Sequence, residues 1–376
     1  MLCHSIYRFV PRLDGYIVRR ATLACLLATG FLFPGSPSGV LGADPPLKRF
    51  EYSLPRMGTM FRIEVYAADA EQASKAAEAA FGRAEELEQI MSDYRPDSEL
   101  MRLARDGSSA PFPVSSDLYD VLAKSIRTSE LSRGAFDVSV GPLVNIWRAA
   151  RKTGRLPDPG EIAKAKALVG YRNIQLDPAH HTAFLKRAGM MLDLGAIGKG
   201  YAADQMLAVL ESQGIRQAMV EAGGEVIVGD PPPASSGWKV GVDSADVDAG
   251  GAPCTLLLHG AAVSTSGDEH QFLELNGHRY SHVINPATGW ALEGESSTTV
   301  IARDSATADS LGTTFSLMSV DDGMRAAETL PGVSVLWVRQ ENGVWRRYAS
   351  HGFPASCRGP VPRQIQGKSK TSKSQS

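Results

Sequence analysis

A run of small apolar residues at helical spacing constrains this chain most. Between Asp69 and Met91 the residues Ala73, Ala77, Ala80, Ala84, Leu87 and Met91 recur every three or four positions, with Glu and Arg on the opposite face. That pattern specifies an amphipathic helix covering a sheet. The segment before it, 49–67, has β character, because Phe61, Ile63 and Val65 alternate with Arg62, Glu64 and Tyr66. Periodicity predicts further helices over 116–132, 139–151, 160–168, 199–213, 305–318 and 321–330. It predicts strands over 173–177, 182–186, 190–193, 217–221, 225–229, 238–242, 255–259, 262–265, 271–275, 280–284, 297–302, 333–338 and 344–348. These elements come in clusters and not in a regular βαβ alternation. The expected class is therefore α+β, one large domain with mixed sheets and flanking helices, and not a doubly wound parallel sheet.

The first 43 residues read as a secretory signal. Arg19 and Arg20 precede an uncharged stretch over 21–33, and a Pro/Gly/Ser segment then leads to the small-residue run Gly39 to Ala43. The apolar stretch has 13 residues, too few to cross roughly 30 Å of hydrocarbon as a helix. The expected location is thus the periplasm or cell envelope, with an uncleaved anchor, and hence membrane association, as the alternative. Paired arginines fit either a general or a twin-arginine signal. Cys25 lies in no convincing lipobox, so no lipid anchor is expected. The domain is expected over 44–366, with a disordered Lys/Ser/Gln tail over 367–376.

Without four basic residues and one acidic residue of the signal, 35 basic side chains face 40 acidic ones, a net of −5. A chain of that charge has no footprint for non-specific nucleic-acid binding. Two cysteines stay in the mature protein, Cys254 and Cys357. In an oxidising compartment they can pair, and two separate thiols fit the spacing equally well.

Several segments carry chemistry. Asp193-Leu194-Gly195-Ala196-Ile197-Gly198-Lys199-Gly200 runs from a strand end through glycines into a helix, where free N–H groups and Lys199 suit a phosphate. A structural turn accounts for the glycines equally well. Asp309 and Thr313 stand at i and i+4 on a helix and offer hard oxygens suited to Mg²⁺; on spacing alone, helix-start capping is the simpler account. His282 precedes an Asn285-Pro286 turn and titrates near neutral pH as a general base must, although a histidine at a strand end is more often structural. Gly223-Gly224 and Ser264–Asp268 are two more turns offering backbone amides and hydroxyls.

Taken in chain order, these segments resemble the ApbE family of FAD:protein FMN transferases. The likeness rests on Met57-Gly58-Thr59, Met91 to Tyr94 with Ser98 to Leu100, Gly134 to Ser139 with Gly141 to Val144, Asp193 to Asp204, Gly223-Gly224, Ser264 to Asp268, His282 to Gly289 and Ala308 to Thr313, and covers about 57–315. It implies an ApbE-type, T-fold-like α+β domain with one FAD in a cleft and Mg²⁺ at its pyrophosphate. Carried over position by position, it implies FAD contacts at Met57, Tyr94, Ala135, Phe136, Asp137, Asp193, Lys199 and Ile284. It implies Mg²⁺ ligands at the Ala196 carbonyl, Asp309 and Thr313, with His282 and Asp309 as the catalytic pair. The implied reaction moves FMN from FAD to a Thr or Ser hydroxyl of an acceptor flavoprotein, forming a phosphoester and releasing AMP. Two other outcomes stay open: hydrolysis of FAD to FMN and AMP, and flavin binding without chemistry. The chain departs from the family pattern at Asn285, where Asp is common, at Gly198, where Ala is usual, and at Glu221, where Asn is usual.

Overall fold

The β segment over 49–67 folds as a hairpin, β1 Lys48–Arg56 and β2 Thr59–Ala67, closed by a two-residue turn at Met57-Gly58. Both turn residues have positive φ, 47° and 76°, the left-handed geometry that matches the twist of a tight hairpin. The computed structural model describes residues 46–242, 245–246, 254–267 and 272–358. The expected signal 1–43, the tail 367–376, Asp268 and most of the 243–253 loop lie outside them.

Six more strands extend the hairpin: β3 Ala218–Ala222, β4 Glu225–Val228, β5 Ala261–Gly267, β6 Ser296–Ala302, β7 Ser334–Glu341 and β8 Val344–Ala349. Each pairs antiparallel with the strand before it, so this eight-stranded sheet is a meander in chain order. In a meander every second connection falls on the same end. The β1–β2, β3–β4 and β5–β6 connections therefore share one end of the sheet.

Three helices cover one face: α1 Ala70–Met91, α2 Gly198–Ser212 and α3 Ser305–Leu317. The stripe of Ala73, Ala77, Ala80 and Ala84 is fully buried, and side chains ending at Cβ let α1 lie close to the sheet and to α2. Asp69 starts α1 by accepting a hydrogen bond from the Gln72 N–H at 2.9 Å. On the opposite face, strands Trp238–Val242 and Cys254–Leu258 pair into a small sheet. It encloses a second core with Val228, Val263, Leu336 and Phe353, into which the Cys254–Cys357 disulfide ties the C-terminal segment. A third core joins helix Gly141–Thr153, through Leu143 and Trp147, to strand His278–Ile284, through Tyr280 and Ile284.

Two expectations change. Residues 190–193 form no strand: Met190, Leu192 and Leu194 are buried on a segment tied down by single backbone bonds, such as Asp193 N–H to the Val138 carbonyl at 2.7 Å. Alternation there marked a buried face without a ladder. Helix Glu99–Asp106 was not expected; Ser98 caps it, accepting from Met101 N–H at 3.1 Å. Among the described residues no helix is long and apolar enough to cross a membrane.

Candidate functional site

The shared end of the sheet brings separated motifs together. A Cβ on Gly223, whose φ is +68°, would lie 2.5 Å from Thr59 Oγ1, so only glycine lets the β3–β4 turn rest on the β1–β2 turn. The Thr265 N–H donates to the Gly224 carbonyl at 3.2 Å, adding the end of β5. The β5–β6 connection carries a three-stranded sheet of Phe272–Leu275, His278–Ile284 and Ala291–Glu293. That sheet supplies His282.

The start of α2 meets the start of α3 at Gly200. A Cβ there would lie 2.3 Å from the Ser305 carbonyl oxygen. From the next turn of α2, Asp204 accepts the N–H groups of Ser305 and Ala306 at 2.6 and 3.0 Å, satisfying donors that a helix start leaves open. With α3 held this way, Asp309 Oδ2 accepts from the Gly200 N–H at 3.1 Å. Lys199 Nζ lies 2.6 Å from Glu225 Oε1, and Glu225 and Asp309 are only 4% and 3% exposed.

Burial opposes charge on Lys199, yet Asp309 and Glu225 outweigh it and hold the amine protonated beyond its usual range. Burial pushes Glu225 up, with repulsion from Asp309 adding to it and Lys199 opposing. Burial also raises Asp309, against Lys199 and the Gly200 N–H. One cation thus faces two carboxylates. Glu225 Oε2 and Ser264 Oγ, on residues directly opposite each other across β4 and β5, are buried with no hydrogen-bond partner. Leaving such atoms unmatched costs about 1–3 kcal/mol each, which marks a place built for a missing donor or cation.

Asp309 and Thr313 lie one turn apart on α3, and Ala196 stands two residues before the start of α2. A carboxylate, a hydroxyl and a carbonyl are the hard oxygen types that suit Mg²⁺. Among the described residues no group of three or more His, Cys, Asp or Glu could hold a metal. A cation at this place would have to draw on backbone and hydroxyl oxygens and on its ligand, as Mg²⁺ does beside phosphates.

Tyr94 and Asp193 meet through Arg148. The Tyr94 ring is 74% exposed, and the Arg148 guanidinium carbon lies 4.3 Å from its centroid. Arg148 also pairs with Asp93, and with Asp193 Oδ2 at 3.0 Å. Asp193 Oδ1 accepts from the Gly195 N–H at 2.8 Å. Met57 donates its N–H to Glu88 Oε2 at 3.1 Å, and its terminal methyl lies 3.8 Å from where a Gly198 Cβ would sit.

Other expected residues are also tied into the surrounding structure. Asp137 accepts from the Ser139 N–H and hydroxyl at 2.9 and 2.6 Å and from the Tyr171 N–H at 2.8 Å. Burial raises its carboxyl while those three donors oppose. Phe136 and Ile284 are buried and Ala135 half-buried. His282 falls where the pairing of its strand with Ala291–Glu293 shifts register, between Tyr280 and Ile284, and such irregularities re-aim side chains. Asn285 Oδ1 accepts the N–H groups of Ala287 and Thr288 at 2.9 and 3.3 Å. An Asp would serve that turn with the same atom. Nothing lies closer than 3.8 Å to a Cβ on Gly198, so the departure from Ala answers no steric demand. Glu221 pairs with Arg62 at the sheet surface, 3.4 Å away.

Sequence reasoning missed Glu225 and Arg148. Glu225 had a signal, since an acidic residue opens an otherwise apolar strand directly after two glycines. Arg148 had none, because its partners lie 55 and 45 residues away.

The model of the ApbE family matches residues 57–337. The chain is similar to the FAD:protein FMN transferase of Vibrio cholerae, 32% identical over 316 residues that span 83% of this chain and 94% of the relative. It is also similar to the enzyme of that name from Salmonella typhimurium, 30% identical over 88% of this chain and 95% of the relative. Among solved structures, the flavin transferase ApbE from Vibrio cholerae superposes with a TM-score of 0.74 at 32% identity, covering 82% of this chain and 99% of that one. The apo flavinyl transferase ApbE of Pseudomonas stutzeri gives 0.73 at 25% identity, over 84% of this chain and 99% of that one.

Proposed function

Because the chain belongs to the ApbE family, we propose that it is an FAD:protein FMN transferase that joins FMN from FAD to a Thr or Ser hydroxyl of an acceptor flavoprotein, with release of AMP. The observation that carries this reading is the buried Lys199, Glu225 and Asp309 cluster, whose surplus carboxylate and unmatched Glu225 Oε2 suit a cation-bound pyrophosphate. Lys199 stands at a helix N-terminus, which favours an anion. Asp309 and Thr313, with the Ala196 carbonyl, would hold Mg²⁺. Bound there, Mg²⁺ supplies neutralisation of the pyrophosphate and of the departing AMP phosphate.

Met57, Tyr94, Asp193, Ile284 and the Ala135–Asp137 segment line the remainder of the FAD site, with Tyr94 offering a ring face for stacking. His282 takes the proton from the incoming hydroxyl as its oxygen bonds to the FMN phosphorus and the phosphorus–oxygen bond to AMP breaks. The protein acts after export to the periplasm or cell envelope. The Cys254–Cys357 disulfide supports an oxidising compartment.

The test is incubation with FAD and Mg²⁺, with and without a flavinylation-acceptor domain, following AMP release and covalently bound flavin. AMP matched by covalent FMN is expected. AMP with free FMN would mean a hydrolase, and bound FAD without AMP a carrier. The His282→Ala variant should keep FAD and lose transfer.

A further inference from the structure

Tyr94 poses a physical problem that its exposure makes plain. It follows the end of α1 at Ser92, whose Oγ accepts the Tyr94 N–H at 3.2 Å, and its ring is three-quarters exposed. Packing does not hold such a ring in one place, and a ligand that stacks on it must order it.

Arg148 solves this from a rigid base. It sits on helix Gly141–Thr153 beside Trp147, which is fully buried and donates its indole N–H to the Gly289 carbonyl at 2.9 Å. One arm of the guanidinium takes Asp93 and the other takes Asp193 Oδ2 at 3.0 Å. The flat face then lies over the Tyr94 ring. The second oxygen of Asp193 holds the Gly195 N–H, so the same side chain reaches the turn that leads to Ala196 and Lys199. A guanidinium can fork between two carboxylates and stack at once; an ammonium cannot.

We infer that Arg148 is the positioning residue of the flavin site, covering one face of Tyr94 so that the ring presents the other to a planar ligand, and locking Asp193 and the glycine turn at a fixed distance from that ring. The inference rests on the FAD reading above and deepens it. Arg148 touches none of the reacting atoms in this account. It acts through Tyr94 and Asp193, so its effect falls on FAD binding more than on turnover.

The test is a binding measurement on the full protein, titrating FAD by flavin fluorescence without Mg²⁺ or acceptor, for wild type, Arg148→Ala, Arg148→Lys, Tyr94→Ala and the Arg148→Ala/Tyr94→Ala double variant. Arg148→Ala should weaken FAD about tenfold, and Arg148→Lys should recover less than half of that loss. The double variant should bind within about threefold of Tyr94→Ala, since the two residues act as one unit. In the transfer assay, KM for FAD should rise about tenfold while kcat falls less than about threefold. Affinity of Arg148→Ala within twofold of wild type overturns the inference, as does a double variant whose losses multiply. If Arg148→Ala does not fold, Arg148→Lys decides alone: wild-type affinity overturns the inference, and binding weakened about fivefold or more upholds it. Wild-type protein that binds no FAD overturns both this and the functional reading, whereas FAD binding that ignores Arg148 overturns this one only.

Discussion

Two charged clusters occupy the site, and each sets one cation between two carboxylates. In the first, Arg148 bridges Asp93 and Asp193, and Asp193 takes a further N–H from Gly195. In the second, Lys199 pairs with Glu225, while Asp309 is met by the Gly200 N–H and Glu225 keeps an unmatched oxygen. The formal charge is the same and the hydrogen bonding is not. A saturated cluster fixes positions, because each partner has what it needs without a ligand. A deeply buried cluster with an orphaned carboxylate oxygen stores cost until a ligand arrives. On the proposed reading, the first cluster is the end that aligns and the second the end that neutralises charge.

The largest way to break this comparison is Asp309→Asn. Transfer should fall about a thousandfold, the scale of losing a charge-stabilising group, while FAD binding without Mg²⁺ stays near wild type. Equal losses at both ends would erase the distinction. Next comes the contrast between Asp93→Asn, which breaks a filled cluster at the partly buried Arg148, and Glu225→Gln, which leaves Lys199 to Asp309 and removes the unmatched oxygen. Urea unfolding should show a loss of about 3 kcal/mol for the first and at most about 1 kcal/mol for the second. Comparable costs would mean that saturation does not matter.

A lesion in the second core serves as a control for both clusters. Replacing Cys254 and Cys357 together by serine should cost about 2–4 kcal/mol of stability and leave FAD affinity unchanged, because the disulfide lies across the sheet from α2 and α3. The last effect is one of pH and is spread over about three pH units. Burial pushes Asp204 up to about 7, against the two N–H groups it accepts. A folded-state pKa above the unfolded value means that the native protein binds the proton more tightly. Stability should therefore be greatest below about pH 4 as far as this group decides it, fall by at most about 1.4 kcal/mol per unit up to about pH 7, and level off above. In Asp204→Asn that slope should vanish, and its persistence would assign it elsewhere.

Much of this was legible in the residues. The alanine stripe of α1 and the alternation at Phe61, Ile63 and Val65 became a helix packed on a sheet as expected, because periods of 3.6 and 2 leave one apolar face each. The helix carrying Asp309 and Thr313 and the glycine-led helix start carrying Lys199 also stand where expected. The extended run at 190–193 misled, since alternation reports a buried face and not a hydrogen-bonded neighbour. Arg148 stayed hidden for a related reason: its meaning lies in partners far along the chain.

The α+β class, the elements of the helical face and the residue types suited to a phosphate and a cation are all readable along the chain. They follow from local periodicity, glycine conformation and oxygen chemistry, written within a few residues. That Glu225 meets Lys199 beside Asp309, that Arg148 joins Tyr94 to Asp193, and that Cys254 pairs with Cys357 emerges only on folding. A pairwise charge or sulfur contact depends on where the meander and its connections return the chain, and no local pattern carries that information.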